Sequence, residues 1–161
     1  MSNEKLIAAN NKPGNITEAK IANENKNPYH ITFNLETTEV DNIYELSVNM
    51  ELFDGAYFLS PSSDNMFMGK IDISIEKNKY LELDSNYSEK PAPVEEEDPF
   101  GNGPTMVQRV NTSYRKTIKI NTSKDFKQSG MVMFTIEPKC TLEKIAYTIS
   151  SKAGKLTVEQ Q

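Results

Sequence analysis

Tryptophan is missing from this sequence, and cysteine and histidine each occur only once. One cysteine cannot close a disulfide within the chain, so no internal bridge holds the fold together, and the cysteine count leaves the redox compartment open. One histidine cannot supply a zinc cluster. His30 also falls on the outward phase of a predicted strand, where it is a poor candidate for a Ser-His-Asp triad. We therefore expect no catalytic residues; the enzyme question stays open at this point, and a protein that is not an enzyme is the favoured answer.

Basic residues are outnumbered, since 18 Lys and Arg against 23 Asp and Glu give a net charge of −5. No basic stripe is available to displace counterions from phosphates, and this excludes nucleic acid as a partner. Long apolar runs are also lacking, so the sequence predicts no transmembrane segment.

The stretch from Met1 to Asn11 lacks the apolar core of a signal peptide. Two interpretations fit this absence: a cytoplasmic protein, or an exported protein whose leader is not part of the sequence. The Asn- and Lys-rich start is similar to a segment that follows a cleaved leader. We therefore expect a bacterial protein exported to the periplasm or cell envelope, with a cytoplasmic location as the alternative.

The hydrophobic residues that are present alternate with polar ones, as in strands that bury one face. Two such strands lie between Gly130 and Ser150, on either side of Cys140. Their predicted inward residues are Val132, Phe134 and Ile136 in the first, and Ile145, Tyr147 and Ile149 in the second. A further strand around Val48 has five inward positions, so a shift of one residue would bury its acidic side chains.

This pattern predicts an all-β protein, an antiparallel immunoglobulin-like β-sandwich of about eight or nine strands without helices. Residues 1–27 are polar with sparse apolar positions, and we expect a flexible N-terminal tether there. Residues 28–161 are predicted to form one domain. The stretch from Pro91 to Pro104 holds four prolines and is predicted to be a loop. The segments 106–110 and 114–120 are expected to form one strand or two halves of one.

Four adjacent acidic residues, from Glu95 to Asp98, lie in this predicted loop. Calcium loops interleave carboxylates with glycine at fixed intervals, which this run does not do. A solvated, self-repelling loop is the better interpretation. No glycine-rich phosphate loop is present either. We therefore expect neither a metal site nor a cofactor.

The order of short motifs along the chain resembles one known family. These motifs are Phe53-Asp54-Gly55-Ala56-Tyr57-Phe58-Leu59, Tyr80-Leu81-Glu82-Leu83, Asp98-Pro99-Phe100-Gly101, Ile118-Lys119-Ile120, and the strand from Gly130 that leads to Cys140. Over about residues 28–158 the chain is similar to the N-terminal periplasmic domain of the thiol:disulfide interchange protein (DsbD) family, an immunoglobulin-like sandwich.

The resemblance implies a redox site that this chain holds only in part. In the family two cysteines pass electrons, and Cys140 matches the first of them. The region that matches the second, around Ala146, has neither a cysteine nor the Pro-Pro pair that follows it. A cap loop of the family covers the cysteines with an aromatic residue, and Phe100 matches that residue. Because electron-pair transfer needs a dithiol, the resemblance implies a retained scaffold and binding surface.

Our leading hypothesis is a non-catalytic exported domain that binds another protein through its loops. The candidate surface comprises Met66, Phe67, Met68, Asp98 and Pro99, with Phe100 as the cap-loop residue and Cys140 as a possible thiol site. The alternative is a periplasmic redox accessory in which Cys140, shielded by Phe100, exchanges disulfides with a thioredoxin-like partner.

Milder interpretations of the same residues also stand. The apolar cluster at residues 66–68 would pack over the open end of the sandwich. Cys140 would be an inert residue at a strand end, because a reactive thiol needs an electropositive site and only Lys139 and Lys144 are local candidates. A third functional hypothesis is a structural or carbohydrate-contacting module of a cell-envelope assembly.

Overall fold

The computed structural model describes residues 27–64 and 66–161, which form twelve β-strands and no helix. The strands are β1 (Tyr29–Thr37), β2 (Ile43–Leu52), β3 (Phe58–Leu59), β4 (Asp72–Ile75), β5 (Leu81–Leu83), β6 (Ser88–Lys90), β7 (Val94–Glu97), β8 (Pro104–Gln108), β9 (Thr112–Ile120), β10 (Phe126–Ile136), β11 (Thr141–Lys152) and β12 (Lys155–Gln160). Within the described ranges there is no helix of the length and hydrophobicity that crossing a membrane requires. The predicted tether, apart from Asn27, lies outside the described residues.

Three antiparallel sheets organise the chain. The first sheet has the order β1-β2-β9-β5, with β6 also paired to β9; the second has the order β12-β11-β10-β4. A smaller third sheet has the order β3-β8-β7. The first two sheets pack over a shared core, and the predicted all-β, antiparallel, immunoglobulin-like sandwich is confirmed.

The core forms where the alternating strands of the first and second sheets face each other. Val132, Phe134 and Ile136 are fully buried on β10, as the alternation predicts. Aromatic rings connect the two sheets: Tyr29 of β1 meets Phe134 edge-on at 5.0 Å between centroids. Such pairs add about 0.5–1.5 kcal/mol to the stabilisation from burial alone. The apolar face of each long strand therefore sets its register.

The prediction of an uninterrupted loop from Pro91 to Pro104 is wrong. Val94–Glu97 forms strand β7, which pairs with β8 from Pro104 onward. Pro91 and Pro93 precede the strand, so their missing N–H groups do not interrupt the ladder. The acidic run consequently lies mostly on a strand, and strand pairing rather than solvation alone orders it.

The expected strand count of eight or nine is also too low. Strand β6, with the sequence Ser-Glu-Lys, has no apolar alternation and is ordered by pairing with β9. The segments 106–110 and 114–120 do not form one strand, because β8 belongs to the third sheet and β9 to the first. At the break, the Asn111 side chain accepts a hydrogen bond from the backbone N–H of Leu52 at 2.9 Å. Val107 and Gln108, two neighbouring residues at the end of β8, are both buried, which departs from the one-sided burial of a regular strand just before the chain enters the first sheet.

A buried tyrosine makes the sandwich sensitive to alkaline pH. Tyr147 is fully buried, and its hydroxyl donates a 2.7 Å hydrogen bond to the Ser74 carbonyl. Burial, and then the negative charge of Asp72, raise the pKa of Tyr147 well above its ordinary value of 10.0. Above pH 10.0, Tyr147 of the unfolded chain loses its proton, whereas Tyr147 of the native protein keeps it. The free energy of unfolding therefore falls as pH rises.

We expect Tyr147→Phe to remove this contribution. Above pH 10, the free energy of unfolding should fall with pH less steeply in the variant than in the parent, by about 1.4 kcal/mol per pH unit. Urea unfolding at a series of alkaline pH values would measure the slopes, and between neutral pH and about pH 9 the two slopes should agree. Equal slopes above pH 10 would contradict the assignment to Tyr147.

Candidate functional site

A cleft of about 480 Å³ lies beside the third sheet and brings distant parts of the chain together. We refer to it as the cleft. It is lined by residues from the β3 region, strands β7 and β8, the turn between them, and the turn between β10 and β11. Two hydrogen bonds hold the cleft together at its base: the N–H of Tyr57 donates to the Glu137 carbonyl at 3.0 Å, and that of Glu137 donates to the Tyr57 carbonyl at 2.9 Å. This bridge connects the start of β3 to the end of β10.

The walls of the cleft are largely apolar. The apolar and proline residues that line it are Tyr57, Leu59, Pro99, Phe100, Val107 and Pro138. Phe100 stands out because 87% of its surface is exposed, whereas Val107 is buried. A concave site with apolar walls and a few polar groups is the usual form of a ligand or peptide site.

Phe100 is carried by the turn of residues 98–103, which we call the cap turn. The Asp98 carboxylate accepts hydrogen bonds from the backbone N–H of Asn102 at 3.2 Å and from its side-chain amide at 2.7 Å. The backbone N–H of Asp98 donates to the carbonyl of Gly103 at 2.9 Å. Gly101 and Gly103 have φ values of 80° and 100°, which glycine adopts without strain. The cap turn is therefore a defined structure that presents Phe100.

Arg109 lines the cleft with half of its side chain exposed, and two neighbours hold it. Arg109 donates to both carboxylate oxygens of Glu96, from Nε at 2.7 Å and from Nη2 at 2.9 Å. Its guanidinium also lies 4.0 Å from the centroid of the Tyr57 ring. The hydrogen bonds from Arg109 lower the pKa of the Glu96 carboxyl, and Glu96 in turn raises the pKa of Arg109. Both groups stay charged, and each uses its hydrogen-bonding atoms on the other.

Acidic side chains dominate the charge of the cleft. Glu96, Glu97, Asp98 and Glu137 line it, against the single guanidinium of Arg109. Across the described part of the chain, no group of three or more His, Cys, Asp or Glu side chains is arranged to hold a metal ion. The carboxylates therefore give the cleft a negative field without forming a cation cage.

Cys140 opens into the same cleft. It lies in the turn between β10 and β11, its side chain is exposed, and its φ of 59° is in the left-handed region. Neither Lys139 nor Lys144, the two cations considered from the sequence, lines the cleft. An exposed thiol can form a mixed disulfide with another protein, but the chain has no second cysteine to resolve it.

The sequence-predicted candidates are divided between two places. Asp98, Pro99, Phe100 and Cys140 lie together on the cleft, whereas residues 66–68 do not line it. Met66 and Met68 are 63% and 88% exposed in the β3–β4 connection, and Phe67 is half-buried.

Nine of the thirteen residues that line the cleft were not predicted as site residues, among them Tyr57, Glu96, Arg109 and Glu137. The Glu96–Arg109 pair spans 13 residues and meets only because β7 and β8 form a hairpin. Recognising that hairpin in the proline-rich stretch would have been the one signal for the pair.

The strained backbone at Cys140 gives a stability prediction. We expect Cys140→Gly to raise the free energy of unfolding by about 1 kcal/mol, because glycine adopts a positive φ without a steric cost. Cys140→Val should lower it by at least about 1 kcal/mol, since a β-branched residue is strongly disfavoured there. Urea unfolding of the two variants and of Cys140→Ala measures the order. A stability loss in Cys140→Gly as large as that in Cys140→Val would show that the thiol, not the backbone, matters at this turn.

Comparison with known proteins gives likenesses at low identity. No protein-family model matches the chain, and no curated protein sequence matches it. Among solved structures, it is similar to the reduced N-terminal domain of DsbD from Neisseria meningitidis, with a TM-score of 0.45, 11% identity, and coverage of 81% of this chain and 90% of that chain. It is also similar to a chain from the complex between the DsbD and PilB N-terminal domains of Neisseria meningitidis, with a TM-score of 0.42, 14% identity, and coverage of 71% and 79%. These likenesses concern backbone shape and assign no function to the cleft.

Proposed function

We propose that this protein is a non-catalytic binding domain, exported to the periplasm or cell envelope, whose cleft holds a segment of a partner protein. The observation that carries the proposal is Phe100, a large apolar side chain that is 87% exposed on an ordered turn and lines a cleft with apolar walls. Exposed aromatic side chains beside a concave apolar surface are typical of the residues that dominate binding energy at interfaces.

The order of the cap turn supports recognition by a preformed surface. Hydrogen bonds from Asn102 to Asp98 and from Asp98 to Gly103 hold the turn before any partner arrives. A preformed turn loses little conformational entropy on binding, so more of the contact energy contributes to affinity. The contacts of Arg109 with Glu96 and Tyr57 also fix part of the cleft before binding.

Replacing Phe100 is the direct test. We expect Phe100→Ala to weaken partner binding by about tenfold or more, the usual effect of removing an aromatic residue at the centre of an interface. The tagged protein would be used to capture partners from a bacterial cell-envelope extract, with capture quantified by mass spectrometry. Phe53→Ala is the matched control, because Phe53 is also an exposed phenylalanine but does not line the cleft.

The captured set also tests the second candidate surface. Retention of the same partners by Phe100→Ala, together with their loss in Met68→Ala, would move the binding site to residues 66–68 and overturn the proposal for the cleft. Met68 suits this comparison because it is 88% exposed and outside the cleft.

A second candidate function is favoured by the position of Cys140 beside Phe100 in one cleft. In this function the Cys140 thiolate attacks a disulfide of a thioredoxin-like partner, forms a mixed disulfide and releases the partner's other thiolate. With one cysteine in the chain, that thiolate must attack back and regenerate the starting state. Cys140 alone can thus capture a partner, but it cannot carry a pair of electrons onward.

The thiol function has its own assay. A single-cysteine thioredoxin carrying a thionitrobenzoate mixed disulfide would release thionitrobenzoate as Cys140 takes its place. If Cys140 is a dedicated exchange site, release should be much faster than with the same mixed disulfide of glutathione. Equal rates for the two disulfides would identify Cys140 as an ordinary exposed thiol, and Cys140→Ser should abolish release in both cases.

A further inference from the structure

The charge of the cleft identifies the class of segment that it suits. We infer that the cleft binds an extended peptide segment of a partner in which an apolar residue is flanked by lysine or arginine. This inference rests on the proposed function, because it names the chemistry of the occupant of the same cleft.

The first step is the imbalance of charge at the cleft. Four carboxylates line it, and the one guanidinium is committed to Glu96 in a bidentate pair and to the Tyr57 ring. The carboxylates of Glu97 and Glu137 make no hydrogen bond or ion pair with another residue in ranges 27–64 and 66–161. A cationic side chain that enters the cleft is attracted by both carboxylates, of which Glu137 is half-buried and Glu97 exposed.

The second step is the unpaired edge of the third sheet. β7 is the last strand of the order β3-β8-β7, so its outer edge has no strand partner among the described residues. Val94, which begins this strand, is 62% exposed. An extended peptide can add to such an edge through main-chain hydrogen bonds while its alternate side chains enter the neighbouring cleft.

The third step is the sequence of the edge itself. Charged residues on an edge strand repel chains of the same charge and so protect the edge from aggregation. Here Glu95, Glu96 and Glu97 all lie on β7, and within the described ranges only Glu96 has a cationic partner. The edge therefore disfavours acidic or neutral apolar strands and admits a cationic one. The apolar walls and Phe100 provide the contact for the apolar residue of that segment.

An unbiased peptide selection tests the inference. A displayed library of random linear peptides would be selected on the immobilised full chain, after depletion on the Phe100→Ala variant. We expect the retained peptides to be enriched in lysine and arginine next to an aliphatic or aromatic residue, and to bind more weakly as salt concentration rises.

Charge variants then test the role of the two carboxylates. Fluorescence anisotropy would measure the affinity of one labelled selected peptide for the protein. The double variant Glu97→Gln/Glu137→Gln should weaken it by about tenfold, as expected for two ion pairs. The matched control is Glu36→Gln/Glu159→Gln, which removes the same charge from exposed positions outside the cleft and should change affinity less than about twofold.

The outcomes separate the two proposals. Phe100-dependent peptides without a cationic bias, or with unchanged affinity in the Glu97→Gln/Glu137→Gln variant, would overturn this inference and leave the binding cleft standing. If depletion on Phe100→Ala removes every peptide that binds the parent, so that none is retained, both proposals are overturned. Because Glu97 is exposed and neither carboxylate has a partner among the described residues, circular dichroism of the double variant should match that of the parent.

Discussion

Glu89→Ala is expected to lower the free energy of unfolding by about 4 kcal/mol, because it removes the acceptor that three buried side chains share. One oxygen of the Glu89 carboxylate accepts a 2.7 Å hydrogen bond from the Ser60 hydroxyl. The other accepts from the Tyr114 hydroxyl at 2.6 Å and from the Gln108 amide at 3.0 Å. Ser60, Gln108 and Tyr114 are at most 1% exposed. Without Glu89, Ser60 keeps the Ser62 hydroxyl and Gln108 keeps the Pro91 carbonyl, whereas the buried Tyr114 hydroxyl loses its acceptor.

The position of Glu89 explains the size of this effect. Gln108 lies on β8 of the third sheet and Tyr114 on β9 of the first, so one carboxylate joins the two sheets. Glu89→Gln should lose about half as much stability, since its amide keeps one acceptor oxygen but turns a donor toward another donor. Glu95→Ala, an exposed acid on β7, should change stability by less than about 0.5 kcal/mol. Urea unfolding measures all three, and a loss below about 1 kcal/mol in Glu89→Ala would contradict the network.

Gly130→Ala is expected to cost about 4 kcal/mol as well, for a steric reason. A Cβ atom at position 130 would lie 2.3 Å from Cζ of Tyr147 and 2.6 Å from its hydroxyl oxygen. Gly130 and Tyr147 are directly opposed in the β10–β11 ladder, and the tyrosine ring lies across the glycine. The ring cannot retreat easily, since it stacks on Phe33 at 5.0 Å and is hydrogen-bonded to Ser74.

A double-mutant cycle isolates this contact. In a Tyr147→Leu background the ring is gone, so Gly130→Ala should cost at least about 2 kcal/mol less than in the parent. The free energies come from urea unfolding of the parent, the two single variants and the double variant. The same cost in both backgrounds would show that the penalty arises from the backbone of β10 and not from the tyrosine ring.

The sandwich was predictable because its strands carry their own pattern. On β10 Val132, Phe134 and Ile136 occupy every second position, between half-buried Met131, Met133 and Thr135, and the structure buries these three residues. On β6 no such pattern exists, because Ser88–Lys90 is ordered by pairing with β9 and by the contacts of Glu89. A strand that is stabilised by long-range polar contacts leaves little local trace.

The cleft was predictable only in part. Phe100 and Cys140 were identified by resemblance, and the structure places both on one cleft. Arg109 was missed because its contacts to Glu96 and Tyr57 depend on how β7, β8 and β3 come together. Such contacts are set by the tertiary fold, so neither composition nor residue spacing predicts them.

The third sheet also has a consequence for how this protein can diversify. The hairpin of β7 and β8 supplies many of the cleft residues, and its outer strand and cap turn contribute nothing to the large apolar core between the other two sheets. If the cleft binds a partner as we propose, substitutions in residues 94–104 would alter which partner is recognised and leave the core packing unchanged. Selection would then act on this hairpin much as it acts on the variable loops of antibodies. Ser60 and Gln108, which are both hydrogen-bonded to Glu89, would stay constant.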